Sequence, residues 1–334
     1  MNNTRIKIMI SVMWLVALAL VAWTLTQLPL DQISQSISSL TATQWILWIG
    51  LNLLIIVVLT WRWQLLANVL NAQVNLWRLL LIKQAGQAVS FITPGPQFGG
   101  EPLQIFWLCK RCGLPLHKAL LSLGMDRFYE LWINFSVLLL GVFLLLFSPE
   151  FNVAGWQKMG SVLLVLLAVL SLLGWLILKQ PQWLSARLER LARSWQEHPR
   201  LSLIKIDWQA LGGDLRNAIR TEKPRLLLAV LLSIAGWVGL IGELALILAL
   251  VDVQLDLSGF ILIIVAMRLA LLLPVPGGIG TLEASVLWSF QTLNLPASAA
   301  MGLIALMRLR DAIVLVAGFA CLHGLKAKTE PVQV

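Results

Sequence analysis

The sequence predicts an all-α fold: a polytopic membrane helical bundle with two inverted-topology repeats, each containing a re-entrant broken-helix hairpin. Three observations predict it. The chain is too poor in charge to cover a water-facing surface, two apolar stretches are interrupted by Pro/Gly-rich segments, and the same series of charged residues follows each interruption.

Of the 334 residues, 59% are hydrophobic and 12% charged, and the mean hydropathy is +0.84. A soluble domain carries about 25% charged residues. Ile8 to Leu30, Gln32 to Trp61, Met159 to Leu178 and Ala284 to Met307 contain no charge at all, and about 20 apolar residues suffice for a helix to cross a bilayer core. Lipid cannot hydrogen-bond an open backbone, so the spans must be helices, and the alternation of a membrane β-barrel is absent. The first apolar stretch follows Arg5 and Lys7 but is long and lacks a small-residue cleavage site, so it reads as a retained helix rather than a removed leader. The net charge of +9 lies in a few loops, as expected of cytoplasmic loops in membrane proteins and not of a nucleic-acid surface. Cys109 and Cys112 form a lone C-x-x-C, and His117, His198 and His323 share no ligand spacing, so no metal and no cofactor is expected. No G-x-x-x-x-G-K-[ST] phosphate loop is present.

The distribution of Lys and Arg sets the orientation. Arg5 and Lys7 place the N-terminus in the cytoplasm, the loop around Asp31 lies outside, and the second span returns to Arg62, Arg78 and Lys83. Arg62, between Trp61 and Trp63, reads as a side chain reaching the cytoplasmic interface. Leu79 to Ile92 then breaks at Thr93 to Pro102, and Leu103 to Leu108 runs on to Lys110 and Arg111. Basic residues at both ends predict a hairpin that enters and leaves on one side. A long helix from about Leu116 to Phe147 exits near Glu150, and Met159 to Leu178 returns.

The polar loop from Lys179 to Arg225 is rich in arginine, and Leu184, Leu188, Leu191 and Trp195 share one helical face. This is either a headgroup-binding amphipathic helix or a solvated linker. Leu226 to Val251 exits at Asp252 and Asp256. Phe260 to Leu273 breaks at Pro274 to Gly280, Leu282 to Leu293 follows, and a last helix from about Pro296 to Leu325 ends at Lys326 and Lys328, inside. The whole chain, 1–334, is thus one integral membrane domain with repeats at about 76–148 and 257–325 and a cytoplasmic basic loop at 179–225.

Each break is followed by a glutamate, Glu101 or Glu283, then an apolar half-helix and a Leu-Pro pair, Leu114-Pro115 or Leu295-Pro296. Twelve residues after each proline stands an arginine, Arg127 or Arg308, and three further an acid, Glu130 or Asp311. The first copy starts inside and the second outside, the inverted arrangement of many secondary transporters, whose broken helices form the substrate site.

Arg127, Glu130, Glu243, Arg268, Glu283, Arg308 and Asp311 fall within or beside apolar helices, where each costs at least ~2.5 kcal/mol near the bilayer centre. Arg127 with Glu130, and Arg308 with Asp311, sit one turn apart and can close ion pairs that only hold the bundle together. Alternatively the arginines bind an anionic headgroup, since a guanidinium offers phosphate two parallel hydrogen bonds. In that reading Glu101, Glu283, Glu130 and Asp311 position it, and the amides at Gly99, Gly100, Gly278 and Gly280 add N–H donors at half-helix starts.

Pro94-Gly95 through Gly99-Gly100-Glu101, Arg127-x-x-Glu130 and Pro276-Gly277-Gly278-Ile279-Gly280-Thr281-Leu282-Glu283-Ala284 resemble the lysylphosphatidylglycerol synthase transmembrane-region family. The resemblance covers nearly the whole chain. It implies a protein of a prokaryotic plasma membrane that moves or handles a lipid, to which the distribution of Lys and Arg adds cytoplasmic N- and C-termini; it does not imply aminoacyl transfer, which belongs to a separate soluble domain in bifunctional members. The leading expectation is a flippase-like lipid translocase taking an anionic phospholipid, glycolipid or isoprenoid-linked headgroup into a cavity between the repeats, with no catalytic residues. Two alternatives stand beside it: a membrane-embedded enzyme acting on the headgroup, and a non-transporting accessory subunit of a lipid or cell-envelope synthesis complex. Expected partners are a membrane lipid, with further copies of the chain or lipid-synthesis enzymes open, and no nucleic acid.

Overall fold

The computed structural model describes residues 41–93, 99–148, 155–179 and 208–327. The first apolar stretch with Arg5 and Lys7, Asp31, Pro94 to Phe98, Glu150, and the apolar face of Leu184, Leu188, Leu191 and Trp195 lie outside the described residues. Among the described residues every element is helical: α1 (Ala42–Val69), α2 (Leu76–Ile92), α3 (Glu101–Cys112), α4 (Leu116–Leu146), α5 (Trp156–Lys179), α6 (Trp208–Thr221), α7 (Lys223–Leu250), α8 (Leu257–Ala270), a 3-10 turn (Pro276–Gly278), α9 (Thr281–Thr292) and α10 (Ala297–Ala327). Four of them, α1, α4, α5 and α7, are long and apolar enough to cross a membrane.

Two series of helices share one pattern. Lengths of 28, 17, 12 and 31 residues in α1 to α4 recur as 28, 14, 12 and 31 in α7 to α10. Ala42 and Lys223, Leu76 and Leu257, and Leu116 and Ala297 open matching helices, each pair 181 positions apart. The turns match as well. Asn71 and Asp252, at φ +54° and +55°, follow α1 and α7 in the left-handed conformation, which lets Ala72 N–H bond to Ala67 O and Val253 N–H to Leu248 O. Gly113 and Asn294 play that part after α3 and α9, before Pro115 and Pro296 start the long helices. The shared pattern therefore begins upstream of the expected 76 and 257, at α1 and α7.

The charge-free run from Ala284 to Met307 is not one span, because Asn294 and Pro296 stop one helix and start another. At 12 residues, α3 and α9 are each about 18 Å long, short of a hydrocarbon core of about 30 Å.

The described residues fall into two units. One, here the Arg127 unit, takes 51–83 and 101–241; the other, the Arg308 unit, takes the described parts of 1–50, 84–100 and 242–334. In the Arg127 unit, α6 covers the end of α1 and the start of α4: Leu215 and Ala218 pack with Val69, Leu70 and Leu121, flanked by Leu211 and Ile219. His117 lies 3.5 Å from Asp214. In the Arg308 unit, Leu244, Ile247 and Leu248 of α7 pack with Ile263 and Met267 of α8, Leu282, Val286 and Phe290 of α9, and Leu303, Ile304 and Met307 of α10. Gly100 is required by a close approach. A Cβ there would lie 2.0 Å from Gly86 O, and its N–H donates to Ser90 Oγ at 2.9 Å.

Candidate functional site

Each unit buries a connected set of ionic side chains. In the Arg127 unit, the arginine lies mid-way along α4 and reaches Glu101, in the first turn of α3, at 3.1 Å and Glu130 at 2.9 Å. In the Arg308 unit, the equivalent arginine on α10 reaches Glu283, in the first turn of α9, at 2.6 Å and Asp311 at 3.2 Å. The same three-residue clasp is thus built twice, each time tying a long helix to the short helix that follows a break. The pairing of Arg127 with Glu130 and of Arg308 with Asp311, expected from their spacing, is present. So is the contact of each arginine with the more distant glutamate.

The two clasps differ in what they leave unspent. Arg308 is buried, and each of its three nitrogens donates: Nε to Glu283, Nη1 to Gly277 O and Asp311, and Nη2 to Gly278 O, with Glu283 Oε1 also 2.6 Å from Nη2. It holds the carbonyls of the Pro276–Gly278 turn, where Gly277 has φ +58° and a Cβ would strike the Phe91 ring. Arg127 is 18% exposed beside carboxylates 20% and 40% exposed, and its Nε has no hydrogen-bond partner among the described residues.

The glycine amides are largely occupied, contrary to the expectation of donors open to an anion. Gly100 N–H goes to Ser90 Oγ, Gly278 N–H to Val275 O and Gly280 N–H to Glu283 Oε2 at 2.8 Å. Glu283 thereby caps α9 with one oxygen and holds Arg308 with the other. Gly99 sits at φ +137° between α2 and α3, against Thr93.

Five residues of these networks, Arg62, Lys83, Asp126, Glu243 and Arg310, carry no site role in the sequence reading. Arg62, expected at the cytoplasmic interface, is instead 2% exposed. Its Nε donates to Asp126 Oδ1 at 2.8 Å, its Nη1 to Ser233 Oγ at 3.3 Å and its Nη2 to Asp126 O at 3.3 Å. A guanidinium with a fixed carboxylate beside it need not reach for water. Lys83 is also buried, its Nζ 2.9 Å from Leu59 O and 3.6 Å from Asp126 Oδ2. In the Arg308 unit Arg310 Nη1 donates to Glu243 Oε2 at 2.8 Å, and Nε and Nη2 donate to Asp311 Oδ1. The matching helix series offers a signal for two of them: Arg62 on α1 and Glu243 on α7 stand 181 positions apart, opposite in sign, and each ties its helix to the long helix of its own series.

The pattern of spanning helices, broken half-length helices and buried ion clusters defines a multi-pass helical membrane protein. The chain belongs to the family described as the lysylphosphatidylglycerol synthase TM region, whose model matches residues 6–318. It is similar to the UPF0104 membrane protein MJ1595 of Methanocaldococcus jannaschii, 22% identical over 315 residues that cover 92% of this chain and 90% of that one. No solved structure matches.

Proposed function

We propose that this chain carries anionic lipid headgroups across the membrane, and that the Arg127 clasp is where the headgroup is held. The observation that carries the reading is the unspent donor of Arg127. A half-buried guanidinium with one N–H unmatched, next to partly exposed carboxylates, can exchange a carboxylate for a phosphate without breaking the fold. Arg308 has no such spare donor, so its part is to fix the second break. Low charge and membership of a membrane-protein family support a reading in which the work is done in the bilayer, and the ion clusters would supply the polar surroundings a headgroup needs there.

The test is movement of headgroup-labelled phosphatidylglycerol in proteoliposomes, with labelled phosphatidylcholine as the comparison. A charge-assisted hydrogen bond is worth about 1.5–3 kcal/mol, so Arg127→Gln should slow the anionic probe by about ten- to a hundred-fold. Equal background rates for wild type and variant with every probe would sink the reading. A new species in the lipid extract that depends on Glu101 or Glu283 would replace it with an enzyme.

The reading includes inverted copies with re-entrant α2–α3 and α8–α9 hairpins, in a prokaryotic plasma membrane with cytoplasmic termini. Its support is the half-length of α3 and α9 and the basic residues at both ends of the first hairpin. Single cysteines, introduced after Cys109, Cys112 and Cys321 are replaced, report the sides. Positions 78 and 110 should label from the cytoplasm, and positions 256 and 294 from the opposite face. Labelling of 78 and 110 from opposite faces would rule the first hairpin out.

A further inference from the structure

One acid of the Arg127 clasp has two arginines close to it. Glu130 Oε2 lies 2.9 Å from Arg127 Nη1 and 3.8 Å from Arg62 Nη2. The two cations come from different elements, Arg127 from α4 itself and Arg62 from α1. Arg62 is fixed in place. It is buried, with Nε on Asp126 Oδ1 and Nη1 on Ser233 Oγ, whose own hydroxyl donates to Ala229 O. Its Nη2 carries two N–H groups and donates to Asp126 O at 3.3 Å. Glu130 is the more accessible acid of the clasp, with 40% side-chain exposure against 20% for Glu101. Glu101 stands in the first turn of α3, where the positive end of the helix favours a carboxylate.

We infer that Glu130 is the counter-ion an arriving headgroup displaces from Arg127, and that Arg62 Nη2 is where its carboxylate goes. The inference rests on the reading of the Arg127 clasp as a headgroup site, and adds how that site is closed and opened. Shortening the 3.8 Å gap to an ordinary charge-assisted length of about 2.8 Å takes a side-chain movement of about 1 Å. A carboxylate pushed off one guanidinium with no second cation beside it is stranded in a poorly solvating medium. Here a second guanidinium, already desolvated, receives it. The headgroup phosphate takes over the Arg127 Nη1 donor, so neither arginine passes through an unpaired state. When the headgroup leaves, Glu130 returns and refills the clasp. In the Arg308 unit the corresponding acid has no such choice: Asp311 gives one oxygen to Arg308 at 3.2 Å and the other to Arg310 at 2.9 Å. The handover is thus confined to the clasp whose arginine keeps an unspent donor.

The test separates the handover from the headgroup site itself. Binding of dihexanoyl phosphatidylglycerol to the whole chain in detergent is measured by titration calorimetry. Wild type should bind it, and Arg127→Gln should bind at least about ten-fold more weakly. Absence of binding by wild type, or equal binding by Arg127→Gln, sinks the headgroup reading and the handover with it. With those two results in hand, the Glu130 variants decide the handover alone. Glu130→Gln takes the competing charge away and should bind about ten-fold more tightly than wild type. Glu130→Asp keeps the charge one turn from Arg127, as Asp311 does beside Arg308, but is a methylene too short to reach Arg62. It should bind about ten-fold more weakly than wild type. Plain repulsion between Glu130 and a phosphate gives tighter binding in Glu130→Gln and no change in Glu130→Asp; that pair of results overturns the handover and leaves the site standing. Wild-type affinity in Glu130→Gln overturns it too. In proteoliposomes the maximal rate of labelled phosphatidylglycerol movement should fall in Glu130→Gln, because no carboxylate returns to evict the headgroup, and an unchanged or higher maximal rate counts against the handover.

Discussion

Asp126→Asn is expected to lower the thermal stability of the purified protein more than neutralising any other acid of the Arg127 unit. Asp126 is 2% exposed and is the partner of two buried cations, Arg62 at 2.8 Å and Lys83 at 3.6 Å. Removing one member of a buried ion pair costs about 3–5 kcal/mol, because the remaining charge is stranded; here two are stranded. An amide keeps the shape and can still accept one hydrogen bond, so the loss isolates charge from volume. The control is the triple replacement Arg62→Met, Lys83→Met and Asp126→Leu, which leaves no charge behind and should recover most of the lost stability. Glu130→Gln, at 40% side-chain exposure, should cost far less. A thermal midpoint for Asp126→Asn within error of wild type, in the same detergent, would show that water or another group already solvates Arg62 and Lys83.

Arg308→Lys should be the most damaging substitution that preserves charge. Lysine brings three donors on a flexible stem where arginine brings a planar fork. It can follow Glu283 or Asp311 but cannot also hold Gly277 O and Gly278 O, which Arg308 reaches at 2.9 and 3.1 Å. Each buried carbonyl that loses its donor costs about 1–3 kcal/mol, so about 3 kcal/mol in all is expected, with the segment 271–280 losing hydrogen-exchange protection first. Arg127→Lys, where one donor is already idle, should leave thermal stability nearly unchanged and lower headgroup movement instead. Equal stability losses in the two lysine variants would remove the distinction drawn between the clasps.

Much of the fold is legible because apolar length and Pro/Gly breaks are strong signals. α4, α5, α7 and α10 each lie within a few residues of the expected spans. The members of each clasp are legible too, since Arg127 with Glu130 and Arg308 with Asp311 follow from helical spacing and the two glutamates from their matching order. Asp126 was hidden by its neighbour: beside Arg127 it looks like part of the same charged patch, though it points to different partners. Arg62 and Lys83 were hidden by a rule that is right on average, that basic residues near span ends sit at the cytoplasmic interface. Only a buried acid some sixty residues away in sequence reverses it for Arg62. The helix at Trp208–Thr221 was hidden by low hydropathy, although Leu211, Leu215, Ala218 and Ile219 carry the spacing of one helical face.

The opposite signs of Arg62 and Glu243 bear on how such a chain avoids assembling incorrectly. Two halves with matching helix lengths can trade elements during insertion, because α1 is as long as α7 and α4 as long as α10. A bundle that set the Arg62 stretch of α1 against α10 would bring Arg62 toward Arg310, and one that slid the Glu243 stretch of α7 onto α4, whose Tyr129 natively donates to Leu226 O at the start of α7, would bring Glu243 toward Asp126. Each mistake buries like charges in a medium that screens them poorly, while the native choice joins opposites. The reversed polarity thus gives each half a means of recognising its own long helix as the chain leaves the insertion machinery.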